Sequence, residues 1–183
     1  MSASRSTAVS AAGAAAFSER KLLVAMLDMA GYTRAVREAR AVDVAVFLDR
    51  FYRACHEAVA GAGGRVVKFM GDACLAVFPP EQCAAALDAL RGLRVEVDRL
   101  GAAHHLAVTG GHTNVHLCTV VEGEFGAPGQ RRYDVLGEGV NHVFLMGRGA
   151  GVHISEPVYR RLPSARRAGW KKNKPPATYT RAD

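Results

Sequence analysis

Two aspartates occupy positions at which neighbouring strands would end, and carboxylates placed in this way can hold divalent metal ions. Asp28 follows the apolar run Leu22–Leu27, and Asp72 lies in a Gly71-Asp72 turn between two further apolar runs. Either residue alone is typical of a turn, because an aspartate side chain hydrogen-bonds to nearby backbone. Together, two carboxylates on neighbouring strand ends could hold Mg²⁺ against a polyphosphate.

Basic residues form a second candidate feature. The chain carries 24 Lys and Arg against 17 Asp and Glu, a formal net charge of +7, and a basic surface suits nucleic acid, an anionic membrane or a small polyanion. The excess is concentrated near the C-terminal end, at Arg160, Arg161, Arg166, Arg167, Lys171, Lys172 and Lys174. Trp170 is the only aromatic residue in this stretch, so no platform for stacking single-stranded nucleic acid is indicated. A solvated basic segment and a phosphate-binding segment both remain open.

The composition places the chain among ordinary folded domains. Its 183 residues suit one domain, and 49% hydrophobic with 22% charged residues exclude a wholly disordered protein. No apolar run reaches the roughly 18 residues of a membrane-spanning helix, so no membrane association is expected. The cysteines form no C-x-x-C pair, which favours reduced thiols in a cytoplasmic protein; they are Cys55, Cys74, Cys83 and Cys118.

The first half of the chain predicts a leader, a buried strand, two helices and a hairpin. Residues 1–19 are rich in Ala, Ser and Gly and predict a disordered leader. The run Leu22–Leu27 predicts a strand covered on both faces, and Gly31 allows a tight turn after it. Apolar residues at helical spacing predict helices over Val42–Ala60 and Glu81–Leu100. Between them, the strands Val66–Met70 and Ala73–Phe78 form a predicted hairpin.

The second half predicts shorter elements. These are strands over His105–Gly110 and Val115–Val121, a loop from Glu122 to Gln130, a helix over Val140–Met146, a strand over Val152–Ser155, a helix opened by Ser155-Glu156-Pro157, and an edge strand at Ala177–Tyr179. The resulting order is β-α-α-β-β-α-β-β-α-β-α-β. Hairpins between helices predict an α+β fold with a ferredoxin-like mixed, mainly antiparallel sheet on which helices pack.

Three separated blocks of sequence carry a resemblance to a known family. They are Leu27–Thr33, Gly63–Ala73 and Tyr133–Asn141, and Ile154–Tyr159 adds a fourth, weaker match. In this order they resemble the class III nucleotidyl (adenylyl/guanylyl) cyclase catalytic domain. The resemblance covers about residues 20 to 181, which implies that residues 20–183 form one such domain.

The resemblance assigns the aspartates a role. Asp28 and Asp72 match the family's two metal-binding aspartates, which hold two Mg²⁺ or Mn²⁺ ions. One ion activates the ribose 3′-hydroxyl of a nucleoside triphosphate and the other steadies the triphosphate; the hydroxyl attacks the α-phosphorus and pyrophosphate leaves. The backbone N–H groups of Gly31, Tyr32 and Thr33, at a predicted helix start, suit the phosphates.

Lys68 and Asp134 match the pair that reads the base in adenylyl cyclases. Adenine presents an amine donor beside a ring acceptor, so a carboxylate and an ammonium fit it, whereas guanine presents the opposite pattern. Each mispaired buried group costs about 1–3 kcal/mol, which predicts discrimination against GTP. Cytosine presents the same edge as adenine, so ATP and CTP remain open from these residues alone.

The last matched residues include one departure. Asn141 matches the asparagine that positions the ribose, but Leu145 stands where the family normally has an arginine that stabilises the transferring phosphate. Such arginines can contribute about 10³–10⁵ in rate. Arg148 is the first candidate to replace it; Arg131 and Arg132 are others. A phosphate-binding lysine near the C-terminal strand is expected at Lys174, or else at Lys172.

The family's active sites form between two domains, with the metal aspartates from one partner and the remaining groups from the other. This chain contains both sets, so the resemblance implies a homodimer that converts ATP to 3′,5′-cyclic AMP. Two alternatives stay open: a related cyclase that uses CTP or UTP, and a silent, nucleotide-binding regulator, which Leu145 favours. A nucleic-acid binder would depend on charge alone, so no nucleic-acid partner is expected.

Overall fold

The computed structural model describes residues 17–147, 149–173 and 178–181. Arg148 and Lys174 lie outside the described residues, as do residues 1–16 of the predicted leader.

The helices are α1 (Tyr32–Glu38), α2 (Ala41–Gly61), α3 (Cys83–Ala103), α4 (Glu138–Leu145) and α5 (Glu156–Arg161), with 3₁₀ turns at Pro80–Gln82 and Ser164–Arg166. The strands are β1 (Phe17–Ala30), β2 (Arg65–Met70), β3 (Ala73–Phe78), β4 (Thr109–Phe125), β5 (Arg132–Leu136), β6 (Gly151–Ser155), β7 (Lys171–Asn173) and β8 (Thr178–Arg181).

The strands of the described residues form one mixed sheet. Its order is β2-β3-β1-β4-β6-β8-β7, and β5 pairs with the far end of the long strand β4. The β4–β6 pairing is parallel, and the other pairings are antiparallel. The predicted α+β class with a mainly antiparallel sheet is therefore confirmed.

Strand β1 lies inside this sheet, between β3 and β4, and its side chains alternate between two cores. Leu23, Ala25 and Leu27 face the side that helices α2 and α3 cover. Val24 and Met26 face the side that α4 covers. Successive side chains of a strand point to opposite faces, so a strand with helices on both sides requires the continuous apolar run seen in the sequence.

The hairpin of β2 and β3 has the predicted bounds to within one residue, and α2 extends its prediction by one residue at each end. Strand β1 begins at Phe17, so residues 17–19 of the predicted leader lie in the sheet. In the described part of the chain, no helix is long and apolar enough to cross a membrane.

Three strand predictions were wrong. Only the end of the run His105–Gly110 is extended, because β4 begins at Thr109 and continues without a break through Val115–Val121 to Phe125. Gly111, with a φ of +50°, lies where the pairing of β4 with β1 shifts register. Strand β5 was not predicted. The C-terminal segment was predicted as an edge strand, but β8 lies between β6 and β7. The edge strand β7 has three polar residues, too few for an alternating pattern to be recognised.

Candidate active site

The two predicted metal-binding aspartates face the same cleft. Asp28 lies near the end of β1, opposite Ala73 of β3 and His112 of β4, and Asp72 lies in the turn that joins β2 to β3. Both line a cleft of about 570 Å³, together with His112 and Phe144. The antiparallel pairing of β1 with β3 places the end of one strand beside the start of the other, which brings the two carboxylates together.

The electrostatics of the cleft favour a cation. Burial raises the pKa of the Asp72 carboxyl, and the charge of Asp28 raises it further, against a lowering by the backbone hydrogen bond of Asp72 itself. His112 adds an imidazole whose Nδ1 lies 3.8 Å from Oδ2 of Asp28. Two carboxylates that repel each other in a partly dehydrated cleft are stabilised when a divalent cation joins them.

The donor set suits a metal ion shared with a substrate. Within the described ranges, no three His, Cys, Asp or Glu side chains are gathered closely enough to form a complete metal centre. Magnesium in phosphoryl-transfer sites is typically held by one or two carboxylates plus substrate phosphates and water. Asp28 and Asp72 supply that number of oxygen ligands, so the residues present fit Mg²⁺ or Mn²⁺.

The turn that carries Asp72 is held from outside the hairpin. The hydroxyl of Tyr52, on α2, donates to the carbonyl oxygen of Gly71 at 2.9 Å. The Tyr52 ring stacks on Phe69 with centroids 3.9 Å apart, and the backbone N–H of Met29 donates to the Asp72 carbonyl at 3.3 Å. Sequence reasoning missed Tyr52, since next to the core residue Phe51 it has no signal that distinguishes it from a packing residue.

Gly31 turns the chain from β1 into α1 as predicted. Its φ is +86°, and a Cβ atom there would lie 2.1 Å from the carbonyl oxygen of Ala107, a distance that no other residue could tolerate. Tyr32 and Thr33 follow in the first turn of α1. Gly31 and Thr33 are exposed and Tyr32 is half-buried, so this turn is accessible, directly after the strand that carries Asp28.

The predicted base-reading residues form an ion pair. Nζ of Lys68, on β2, lies 2.7 Å from Oδ2 of Asp134, on β5. The two strands are not neighbours in the sheet order, so the sheet must curl around α4 to bring them together; the Arg65 guanidinium stacked 3.5 Å from the Tyr133 ring centroid marks the same contact. The Asp134 side chain is further fixed because its Oδ1 accepts from the Val135 N–H at 2.8 Å.

Lys68 of this ion pair borders a pocket of about 390 Å³ that adjoins the cleft of Asp28 and Asp72. Lys68 and Asn141 line it together with apolar side chains of β5 and α4. Met70 and Phe144 line both this pocket and the cleft of Asp28 and Asp72. Metal-binding, base-reading and ribose-positioning candidates therefore lie along one continuous surface of the molecule.

Helix α4 presents Asn141 on its exposed side. Val140 and Val143 are buried against the sheet, whereas Asn141 is exposed. Leu145, one turn later, is 79% exposed, so an apolar group stands in the open where the family pattern has a cation.

The other candidate cations lie elsewhere. Arg131, in the β4–β5 connection, donates to the carbonyl of Glu124, and Arg132 begins β5 opposite Phe125. Lys172, on the edge strand β7, lies with its Nζ 5.8 Å from the centroid of the Tyr179 ring.

Asn114 is a second residue that sequence reasoning missed. It is fully buried in β4, and its Nδ2 donates to the carbonyl of Val143 at 2.8 Å and to that of Gly147 at 3.3 Å. These bonds satisfy carbonyl groups at the end of α4, which an α-helix leaves without partners, and they tie that end to the sheet. The signal was an amide side chain directly before the predicted strand run Val115–Val121.

Comparison with known proteins gives relatives among larger chains. No family model matches the chain. An uncharacterised protein of Mycobacterium tuberculosis is 36% identical over 125 residues, which is 67% of this chain and 22% of that protein. An adenylate cyclase of Anabaena cylindrica is 26% identical over 161 residues, 80% of this chain and 32% of that protein. The chain thus spans between a fifth and a third of the length of these curated relatives.

Solved structures match nearly the whole fold. The adenylyl cyclase CyaB from P. aeruginosa has a TM-score of 0.77 at 19% identity, covering 91% of this chain and 96% of that one. The guanylyl cyclase Cya2 has a TM-score of 0.70 at 19% identity, covering 89% and 92%. A class III adenylyl cyclase-like ATP-binding protein from Pseudomonas aeruginosa has a TM-score of 0.69 at 18% identity, covering 81% and 36%. The predicted resemblance to class III cyclase catalytic domains is confirmed, and the chain has their fold.

Proposed function

We propose that this chain, which has the fold of the class III nucleotidyl cyclase catalytic domain, is an adenylyl cyclase that converts ATP to 3′,5′-cyclic AMP and pyrophosphate. One observation carries the proposal: Lys68 and Asp134, far apart in the sequence, meet at 2.7 Å beside a pocket that also contains Asn141. An adenylate cyclase among the relatives supports it, and the guanylyl cyclase neighbour makes base recognition the point to be tested.

Base recognition follows from hydrogen-bonding capacity. A carboxylate accepts from the adenine amine and an ammonium donates to the adjacent ring nitrogen. Lys68 has three donor hydrogens and Asp134 has several acceptor sites, so both can contact a base while they keep their mutual bond. Guanine would leave both mispaired at about 1–3 kcal/mol each, which corresponds to discrimination of about thirtyfold to more than ten-thousandfold.

The remaining residues bind and orient the triphosphate. Asp28 and Asp72 would hold two divalent ions, Mg²⁺ or Mn²⁺; when bound, these ions neutralise charge on the attacking and leaving oxygens. The amides of Gly31, Tyr32 and Thr33 bind phosphate oxygens, and Asn141 orients the ribose so that its 3′-hydroxyl faces the α-phosphorus.

We place the complete site between two copies of the chain. Four large apolar side chains around the pocket are exposed in the single chain, and they would be covered by a partner; these are Met70, Leu136, Phe144 and Leu145. One copy then contributes Asp28 and Asp72, and the other contributes Lys68, Asp134 and Asn141, with Lys174 as the phosphate-binding lysine.

We assign to Arg148 the role of the family's phosphate-stabilising arginine, whose position is occupied here by the uncharged Leu145. It lies seven residues after Asn141 in the sequence, close to the end of α4. If Arg148 stabilises the transferring phosphate, Arg148→Ala should lower kcat by about 10³-fold or more and leave the binding of a non-hydrolysable ATP analogue nearly unchanged. Full turnover by this variant would refute the assignment.

A silent, nucleotide-binding regulator is the second candidate. The exposed Leu145 favours it, and an ATP-binding protein with this fold is among the solved neighbours. The presence of four residues opposes it, because a protein that had lost catalysis would not be expected to retain the matched metal-binding and base-reading residues together. These residues are Asp28, Asp72, Lys68 and Asp134.

The deciding experiment incubates purified protein with Mn²⁺ and each of the four ribonucleoside triphosphates in turn, and identifies products by mass. We expect 3′,5′-cyclic AMP from ATP and at most traces from GTP. Asp72→Asn protein is the matched control and should give no product. A cyclic product from CTP or UTP would select the pyrimidine variant, and nucleotide binding without any product would select the silent regulator.

A further inference from the structure

Strand β2 contains a β-bulge that turns two basic side chains to one face of the sheet. Its pairing with β3 shifts register between Val66 and Lys68, and it places Arg65 opposite Val77 and Lys68 opposite Leu75. In a regular strand, residues three apart point to opposite faces, and the extra residue of a bulge reverses that relation. Arg65 and Lys68 therefore lie on the same face, the one that α4 covers, because both of their β3 partners belong to the core on that side.

Both of these side chains contact β5, although three strands separate β2 from β5 in the sheet. The guanidinium carbon of Arg65 lies 3.5 Å from the centroid of the Tyr133 ring. Nζ of Lys68 lies 2.7 Å from Oδ2 of Asp134. Because Tyr133 and Asp134 are consecutive in β5, a change in the distance between β2 and β5 would alter both contacts together.

Strand β4 holds the Tyr133 ring at its hydroxyl end. The hydroxyl donates to Oε2 of Glu122 at 2.7 Å, and Oε1 of Glu122 accepts from Arg20 at 3.3 Å. Burial raises the pKa of the Tyr133 phenol, and the hydrogen bond to Glu122 raises it further, so the hydroxyl remains a protonated donor at neutral pH. Arg65 therefore stacks on a ring that β4 fixes independently of β2.

We infer that Arg65 is a positioning residue for base recognition. By stacking on Tyr133, it holds β5 at the distance from β2 at which Asp134 meets Lys68. The ion pair alone is a weak tether, because its side chains are 42% and 25% exposed and exposed ion pairs contribute little to stability. The second contact preorganises the pair before a base binds. The effect on the ion pair depends on these contacts alone, whereas its consequence for nucleotide selectivity rests on the proposed function.

The first test measures the proximity of Lys68 and Asp134 without any nucleotide. A water-soluble carbodiimide joins an amine and a carboxylate in contact as an amide, with loss of water, and mass spectrometry of peptides identifies the Lys68–Asp134 product. We expect Arg65→Ala to lower the yield of this product about twofold to fivefold, the range that corresponds to one cation–π contact at a partly exposed site. An unchanged yield would overturn the inference, whatever the activity of the protein.

A double-mutant cycle assigns the effect to the stacked pair. Tyr133→Leu removes the ring and should lower the cross-linking yield as Arg65→Ala does, while the double variant should lose no more than either single variant. Arg53→Gln is the control, since it removes an exposed arginine that pairs with Asp49 on α2, and it should keep the wild-type yield. Additive losses in the double variant would show that Arg65 does not act through Tyr133.

The last test connects the pair to base selectivity. Calorimetry in the presence of Mn²⁺ measures the affinities of non-hydrolysable ATP and GTP analogues for the wild type and for Arg65→Ala, and turnover of ATP gives kcat and KM. We expect the variant to bind the ATP analogue about twofold to fivefold more weakly and the GTP analogue as the wild type does. The loss should appear in KM rather than in kcat, because Arg65 contacts Tyr133 rather than the reacting atoms.

The outcomes separate this inference from the proposed function. Equal weakening of both analogues, or a loss confined to kcat, would overturn the role of Arg65 in base recognition. A wild type that forms the Lys68–Asp134 cross-link but binds neither analogue would instead contradict the proposed function and leave the positioning of the ion pair supported.

Discussion

The negative charge of Asp72 destabilises the folded chain when no cation is bound, and a bound cation would offset that destabilisation. Its pKa is raised by burial and by Asp28, so the folded protein holds a proton on Asp72 more tightly than the unfolded chain does. As the pH rises above the ordinary value of 3.8, the folded state therefore loses stability relative to the unfolded state through this group. A divalent cation between the two carboxylates removes that penalty.

The substitution Asp72→Asn should raise the midpoint of thermal unfolding at neutral pH in metal-free buffer, because it removes a charge that the fold disfavours. Added Mn²⁺ should stabilise the wild type by binding only the folded state and should leave the variant unchanged. Asp49→Asn, at an exposed carboxylate paired with Arg53, is the control and should change neither result. A variant that unfolds at a lower temperature and still gains stability from Mn²⁺ would contradict the role of Asp72.

His116 gives a prediction of the opposite sign with respect to pH. Its pKa is lowered from 6.5, first by burial and then by His142, so the unfolded chain binds this proton more readily than the folded one. The unfolding free energy should therefore decrease as the pH falls below about 6.5.

Urea unfolding of the wild type and of His116→Gln at about pH 8 and about pH 5 measures this contribution. Glutamine can still hydrogen-bond to Ser155, which lies 2.8 Å from Nδ1 of His116, but it does not titrate. The variant should lose less stability on acidification than the wild type. Equal losses would show that His116 does not contribute to the acid sensitivity of the fold.

At the level of elements, helix α2 fixes the turn between β2 and β3 through Tyr52. The substitution Tyr52→Phe keeps the stacking on Phe69 and removes the hydrogen bond to the Gly71 carbonyl. We expect a loss of about 0.5–1.5 kcal/mol in unfolding free energy, together with weaker Mn²⁺ binding, because Asp72 sits in that turn. Tyr159→Phe, which alters another stacked tyrosine away from the turn, should leave Mn²⁺ binding unchanged when measured by calorimetry.

Elements with a local signal could be predicted, and elements defined by distant contacts could not. The apolar run of β1 and the Gly71-Asp72 turn specify their own conformations, so the strand and hairpin that carry both aspartates were predictable. Strand β5 has no such pattern, since it exists because it pairs with the far end of β4. The Lys68–Asp134 ion pair follows from that pairing and from the curl of the sheet, so the resemblance could name both residues while the residues alone could not bring them together.

At the scale of the whole molecule, the two faces of the sheet have different characters. One face, under α4, has the cleft of Asp28 and Asp72, the pocket lined by Lys68 and Asn141, and exposed apolar side chains around that pocket. The other face, under α2 and α3, has a cavity lined in part by Arg91, Arg166 and Arg181. A partner that covers the first face would leave the cavity on the second face accessible.

The proposed division of the site between two copies predicts complementation. Under the proposed roles, Asp28→Ala protein would lack metal binding and Lys68→Ala protein would lack base recognition, so each homodimer should be inactive in the mass-based assay. A mixed dimer has one site with both defects and one site with neither, because the aspartates and the lysine of a site come from different chains. Equal mixing gives mixed dimers in about half of the population if exchange is random, and each has one of two sites intact. The mixture should therefore recover about a quarter of wild-type activity, whereas a site formed within one chain would recover none.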